Sequence, residues 1–255
     1  MPLLPIFLLS LALTLGLMTL LWLYSLRIKN SSIVDIFWGT GFVIVAWLYF
    51  ALTAYSPRNL LLALLVTVWG LRLSLHIFRR NHGKPEDFRY HAWREEHGKR
   101  WWWWSWIQVF ALQGIILWLV SAPLLASMIN GSAQWTIFDG LGFVVWLTGF
   151  IFEAGGDWQL ARFKANPANK GKLLTTGLWA LTRHPNYFGD ATIWWGYFLF
   201  ALPGGAWTIF APALMTFLLL RVSGVTMLEQ TMKIKPGYEA YMRNTPAFFP
   251  KFDKQ

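Results

Sequence analysis

The residues Leu181-Thr182-Arg183-His184-Pro185-Asn186-Tyr187-Phe188-Gly189-Asp190 set a cation, an imidazole and a carboxamide directly in front of a new apolar stretch. A helix N-terminus carries unpaired N–H groups and partial positive charge, so it attracts anions. Arg183 and His184 strengthen that attraction for a phosphate or a carboxylate. Asp190 follows one turn later, inside the apolar run, where a carboxylate is costly without a purpose. The segment reads as a site for a charged ligand at the edge of a bilayer.

Other ionisable residues also fall within apolar runs. Asp35 is one. Arg72 and His76 share a helix face at i,i+4, and so do Glu153 and Asp157, with Lys164 beyond them. Arg221 is followed about two turns on by Glu229. Two carboxylates at i,i+4 repel, so Glu153 and Asp157 need donors from other elements. Two readings stand: interhelical ion pairs that fix packing, or a polar cavity at one end of the helices. As a set the residues fit the cavity. The segment 84–94 mixes acids, bases and aromatics. Pro85, with Glu86 and Asp87 after it, predicts a helix start there. That helix either lies on the headgroups or walls the cavity, with Tyr90 as a proton donor.

These residues need a scaffold, and composition supplies its class. The 255 residues are 56% hydrophobic and only 13% charged, against about 25% charged in a soluble domain. Several apolar runs approach or exceed the ~18 residues that span a bilayer. The expected fold is all-α and polytopic, a single integral membrane domain over 1–255 with about seven transmembrane helices. The spans fall near 3–24, 33–54, 60–77, 104–128, 136–158, 187–202 and 207–228. The first run has neither a charged leader nor a small-residue cleavage site, so it reads as a retained helix. Of the 22 Lys and Arg, Arg58 alone falls in the loops of one side, and Arg72 and Arg221 lie within spans. The others collect in alternate loops and the C-terminal tail. That asymmetry predicts an outward N-terminus, a cytoplasmic C-terminus and chemistry open to the cytoplasm.

Several classes are excluded. The basic residues are spread among short loops, which argues against a nucleic-acid partner despite the formal charge of +10. No Cys is present and the His residues are scattered, so no metal site is expected. There is no P-loop, no Gly-rich turn after a strand and no room for a Rossmann domain, so any nucleotide binds among helices. The four tryptophans 101–104 follow Lys99-Arg100 and read as an interfacial aromatic belt. Gly155-Gly156 reads as a point of close helix packing.

A family resemblance now enters. Arg183-His184-Pro185-Asn186-Tyr187-Phe188-Gly189-Asp190, Leu220-Arg221-Val222-Ser223-Gly224 and Pro236-Gly237-Tyr238-Glu239-Ala240-Tyr241 with Phe248-Phe249-Pro250 resemble the C-terminal half of membrane steroid 5-alpha-reductases. Asp35-Ile36-Phe37-Trp38-Gly39, Glu86-Asp87-Phe88-Arg89-Tyr90 and the segment 153–160 resemble the uncharacterised bacterial branch of that superfamily, a domain of unknown function. The RHPNYFGD element is also similar to one in sterol double-bond reductases. Isoprenylcysteine carboxyl methyltransferases share an RHP-x-Y segment and a similar tail.

The resemblance implies a membrane enzyme that binds NADPH and reduces a carbon–carbon double bond in a lipid or steroid-like substrate. It implies a cofactor-binding half at about 136–255 and a bacterial inner membrane as the setting. By position, Asp157, Lys164, Asn186, Tyr187, Asp190, Arg221, Tyr238 and Tyr241 fall where that family contacts its nucleotide. Arg183 and His184 belong to the same element, and Glu229 joins them as a further cofactor candidate. Steroid 5-alpha-reductases polarise the enone carbonyl with a Gln-Glu couple and a Tyr. This chain has no Gln-Glu pair in its first two spans, and Asp35, Tyr90 and Glu86 are the catalytic candidates instead. The alternatives are SAM-dependent methyl transfer of the isoprenylcysteine type and a non-enzymatic membrane protein.

Overall fold

The computed structural model describes residues 2–130, 134–222 and 224–252. Among them there are helices and turns and no strands. The major helices are α1 Leu3–Ile28, α2 Ile33–Leu52, α3 Pro57–Asn81, α4 Phe88–His97, α5 Trp101–Ser105, α6 Leu112–Val120 and α7 Ala122–Asn130. They continue with α8 Ile137–Ala165, α9 Leu178–Leu181, α10 Pro185–Gly205, α11 Phe210–Phe217, α12 Val225–Met232 and α13 Tyr238–Asn244. Six helical stretches are long and apolar enough to cross a bilayer, so the chain has the make-up of a polytopic membrane protein.

The sixth stretch, Pro185–Met232, accounts for the difference from the seven expected spans. Trp195 Nε1 donates to Thr216 Oγ1 at 3.2 Å. In one straight helix, residues 21 apart lie about 31 Å from each other. The stretch is therefore a hairpin, turned by Pro203 and the 3-10 segment Ala206–Ile209. Two other expectations are corrected. The α4 helix begins at Phe88, not Pro85, because Asp87 caps it by accepting from the Arg89 N–H at 3.0 Å. Arg58, expected in a loop, is buried and donates to Ser127 O at 2.9 Å, with Pro57 already opening α3. The connection expected between the spans ending at 128 and starting at 136 includes Gly131, Ser132 and Ala133, and the Leu220–Gly224 segment includes Ser223; these four lie outside the described residues.

The chain divides into two compact units, Met1–Trp135 with Pro203–Gly205, and Thr136–Leu202 with Ala206–Gln255. In the first, α2 and α3 touch through bare backbone. A Cβ on Gly70 would meet Gly39 O at 2.5 Å, so neither glycine tolerates a side chain. Small residues at such crossings let helices approach where lipid removes the usual hydrophobic drive. A buried hydroxyl chain adds polar glue: Tyr49 bonds Ser10 at 2.8 Å and Ser121 at 2.9 Å, tying α1 and α2 to the α6–α7 break. The run between α5 and α6 is a π-helical turn, Trp106–Ala111.

In the second unit, α8 and α10 run antiparallel on a ladder of glycines. A Cβ on Gly142 would meet Gly196 O at 3.0 Å, and one on Gly149 would meet Gly189 O at 2.6 Å. The seven-residue spacing on each helix matches two turns of contact. Gly156 lies against Pro185, which a Cβ would meet at 3.0 Å, so the start of α10 sits tightly on α8. Trp146 Nε1 donates to Tyr197 OH at 2.9 Å across the same interface.

Candidate functional site

In the first unit the segment 86–94 is stapled onto the turn 31–35. Glu86 accepts from the Ser31 N–H at 2.6 Å and pairs with Arg94 at 2.8 Å. Burial raises the Glu86 carboxyl, but Arg94 and the Ser31 N–H outweigh it and hold it below the usual range. The Asp87 N–H donates to Ser32 Oγ at 2.7 Å. Asp87 is likewise held low, with Arg89 overcoming its partial burial.

This staple brings Tyr90, 2% exposed, against Asp35 in the first turn of α2. The phenol donates to Asp35 Oδ1 at 2.6 Å. Arg89 Nη2 donates to Asp35 Oδ2 at 2.9 Å and Arg89 Nε to Asp87 Oδ1 at 2.8 Å. Gln113 Nε2, just past the π-helical turn, donates to the Tyr90 oxygen at 3.2 Å. The phenolic proton is thus held between two oxygens. A ligand carbonyl that displaced Asp35 as acceptor would receive the same proton, and Arg89 would keep the vacated carboxylate paired. Of the three catalytic candidates, Tyr90 and Asp35 touch. Glu86 is committed to Ser31 and Arg94 and acts as part of the frame.

In the second unit several of the cofactor candidates, Arg183, His184, Tyr187 and Glu229 among them, form another cluster, and its centre is closed. Arg183 Nε and Nη2 donate to Glu229 Oε1 at 2.8 and 2.5 Å. Its Nη1 donates to Met242 O at 3.2 Å and to Thr245 O. Its N–H donates to Pro246 O at 2.9 Å. The guanidinium expected to meet a ligand anion is spent on the protein's own carboxylate and C-terminal tail. Thr182 Oγ1 and the Lys251 N–H extend the staple, donating to Ala247 O at 3.1 Å and Leu181 O at 2.9 Å.

His184 stacks on Tyr187 and lies 3.4 Å from Glu229 Oε1. Its imidazole is pushed down to about 4 by burial. Glu229 pulls the other way, but Arg183 already neutralises it and adds its own repulsion. His184 is therefore neutral at pH 7. Asn186 Nδ2 donates to Asp157 Oδ1 at 3.2 Å, so a second internal carboxylate lies beside the start of α10. Tyr241 donates to Trp179 O at 2.5 Å and meets Tyr238 edge-on. Burial raises both phenols, with the Glu229 charge adding to Tyr238, so both stay protonated. Asp190 is buried, whereas Lys164 and Arg221 are exposed.

Sequence reasoning missed Gln113. A neutral amide in an apolar run carries no charge signal. Gln108 and Gln113 are nonetheless the polar side chains of 106–120, and that isolation was the available clue.

The profile of a protein family of unknown function, DUF1295, matches residues 21–245. The chain is 27% identical over 284 residues to an uncharacterized protein of Schizosaccharomyces pombe, C594.04c, across 97% of this chain and 80% of that one. It is 45% identical over 53 residues to a probable O-methyltransferase, ustE, of Ustilaginoidea virens, across 21% of this chain and 18% of that one. No solved structure matches.

Proposed function

The chain belongs to the DUF1295 family, and within it we propose an NADPH-dependent membrane reductase acting on a carbon–carbon double bond conjugated to a carbonyl in a lipid or steroid-like substrate. The observation that carries the reading is the Tyr90–Asp35 hydrogen bond at 2.6 Å, with Arg89 behind the carboxylate. Adding a hydride to the β-carbon of an enone moves an electron pair onto the carbonyl oxygen. A phenol positioned there delivers the proton that neutralises it, giving an enol that tautomerises to the saturated ketone. Gln113 orients the phenolic oxygen, and Arg89 pairs with Asp35 and fixes its carboxyl group. NADPH, when bound, supplies the hydride. The exposed cations Lys164 and Arg221, with Asn186 and Tyr187 at the start of α10, are donors and a ring of the kind a dinucleotide takes. Arg183 and Glu229 support that region instead of touching the phosphates. The basic loops and the C-terminus face the cytoplasm in this reading, and a bacterial inner membrane remains part of it.

The 53-residue similarity to a probable O-methyltransferase favours a second reading, SAM-dependent methyl transfer. Thermal unfolding in detergent separates the two, because a ligand bound only by the folded state stabilises it. Saturating NADPH should raise the midpoint and S-adenosylhomocysteine should not. The reverse result assigns the protein to methyl transfer.

A further inference from the structure

A cavity of about 430 Å³ opens at the C-terminal end of α8, lined by Trp158, Gln159, Arg162, Asn166, Asn169 and Thr176 among others. Its depth follows from the helix. α8 has 29 residues, about 43 Å at 1.5 Å per residue, whereas the hydrocarbon core is about 30 Å thick. The far end is fixed by a capping box, Thr136 with Asp139. Some 20 residues from Ile137 exhaust the hydrocarbon near Asp157. Trp158, 60% exposed, then stands at the interface where tryptophan concentrates, and Arg162 stands one turn beyond it.

The lining is rich in donors and contains no carboxylate. Gln159 Oε1 accepts from the Leu178 N–H at 3.0 Å, and Asn166 Oδ1 accepts from the Ala168 N–H at 3.0 Å. Both amides have spent their oxygens on backbone and keep their NH₂ groups. Arg162 lies over the Trp158 ring at 5.4 Å and pairs with no carboxylate among the described residues. The surrounding sequence agrees: from 158 to 189 there is no Asp or Glu, while Arg162, Lys164, Lys170 and Lys172 fall within it.

We infer that this cavity seats the headgroup of an anionic phospholipid. The phosphate meets Arg162 and the amides of Gln159 and Asn166, and the glycerol region lies against Trp158. The chemistry is shared with any phosphate ester. Headgroup depth and the interfacial tryptophan select the lipid.

The test is native mass spectrometry of the full-length protein in detergent with an equimolar mixture of phosphatidylglycerol and phosphatidylcholine. Wild type should retain phosphatidylglycerol about tenfold over phosphatidylcholine, because the choline ammonium of the latter offsets the phosphate charge and repels Arg162. Arg162→Gln should bring the ratio to within about twofold of parity, Arg162→Lys should keep part of the preference, and Lys170→Gln, outside the lining, should keep all of it. Arg162 is exposed, so an unchanged melting midpoint will show that its variants fold. Equal losses from Arg162→Gln and Lys170→Gln would mean diffuse surface charge and overturn the proposal. So would no preference in wild type. Displacement of the lipid by NADPH would assign the cavity to a nucleotide and overturn it as well.

Discussion

The two polar clusters hold the same kinds of residue and use them differently. In the first unit Asp35 and Gln113 meet one phenolic hydroxyl, with Arg89 behind Asp35, and the shared proton is what the arrangement holds. In the second, Arg183, Glu229 and His184 converge on one another and on tail carbonyls. Removing the Tyr90 hydroxyl takes one hydrogen bond each from Asp35 and Gln113. Removing the Arg183 guanidinium takes its partner from the half-buried Glu229 carboxylate and a donor from the Met242 and Thr245 carbonyls. On the function proposed above, the contrast separates a polar group kept for a proton from polar groups kept for architecture, although both sit in apolar surroundings where charge is costly.

The largest expected effect tests the architectural side. Arg183→Ala should cost about 3–5 kcal/mol, as breaking a buried pair does. A drop in folded yield and melting midpoint would check it. Glu229→Ala should do the same, and the double variant should be less damaging than the sum. If both single variants melt like wild type and lose only cofactor affinity, the cluster is a binding site after all.

Next in size is a pH effect from His184. Above its ordinary value of 6.5 the imidazole is neutral in both folded and unfolded chains and costs nothing. Between 6.5 and about 4 the unfolded chain takes up a proton that the folded one refuses, so stability falls as pH falls. The limit is about 3 kcal/mol, from 1.36 kcal/mol per unit. Melting midpoints from pH 7.5 to 4.5 should decline, and His184→Gln should flatten part of that decline. A slope identical in the variant would remove His184 from the account.

A smaller effect concerns the glycine ladder. Gly149→Ala places a methyl 2.6 Å from Gly189 O and must push α8 and α10 apart. Overpacking of this kind costs about 1–3 kcal/mol, visible as a lower midpoint. Gly140→Ala, which meets nothing within 4 Å, is the matched control and should be neutral or slightly stabilising.

The smallest effect sharpens the comparison. Asn186→Ala loses a single bond to Asp157, worth about 1 kcal/mol of stability. If the periphery of the second cluster holds the nucleotide, NADPH affinity should fall about tenfold in an isothermal titration while the midpoint falls by no more than about 2–4 °C. A change in midpoint alone would make Asn186 a packing residue.

Some of this was legible in the sequence for simple physical reasons. Long apolar runs announce membrane helices because lipid leaves the backbone few alternatives. Gly156 at a close approach was readable from Gly155-Gly156, since small residues serve few other ends inside a span. The π-helical turn at Trp106–Ala111 was not readable, because one extra residue per turn is lost within a uniformly apolar run. The burial of Arg58 was missed because its partner, a carbonyl of Ser127, has no side-chain signature. Charge and a helix start made Arg183 conspicuous. Its internal use depends on Glu229, Met242 and Thr245, whose approach no local pattern encodes. Asp35 and Tyr90 were each nominated, yet their contact spans 55 positions and rests on the staple of Glu86 and Asp87 to Ser31 and Ser32.

The central claim is that the Tyr90 hydroxyl supplies the proton. Single-turnover oxidation of NADPH with an enone lipid that wild type accepts measures it most directly in the Tyr90→Phe variant. The ring and its packing remain, so NADPH affinity should match wild type, and the melting midpoint should fall only by the worth of the lost bonds to Asp35 and Gln113, about 1 kcal/mol each. The rate should fall by about 10²–10⁴-fold, the usual contribution of a positioned proton donor. A Tyr90→Phe rate within a few-fold of wild type, at unchanged NADPH affinity, would contradict the account.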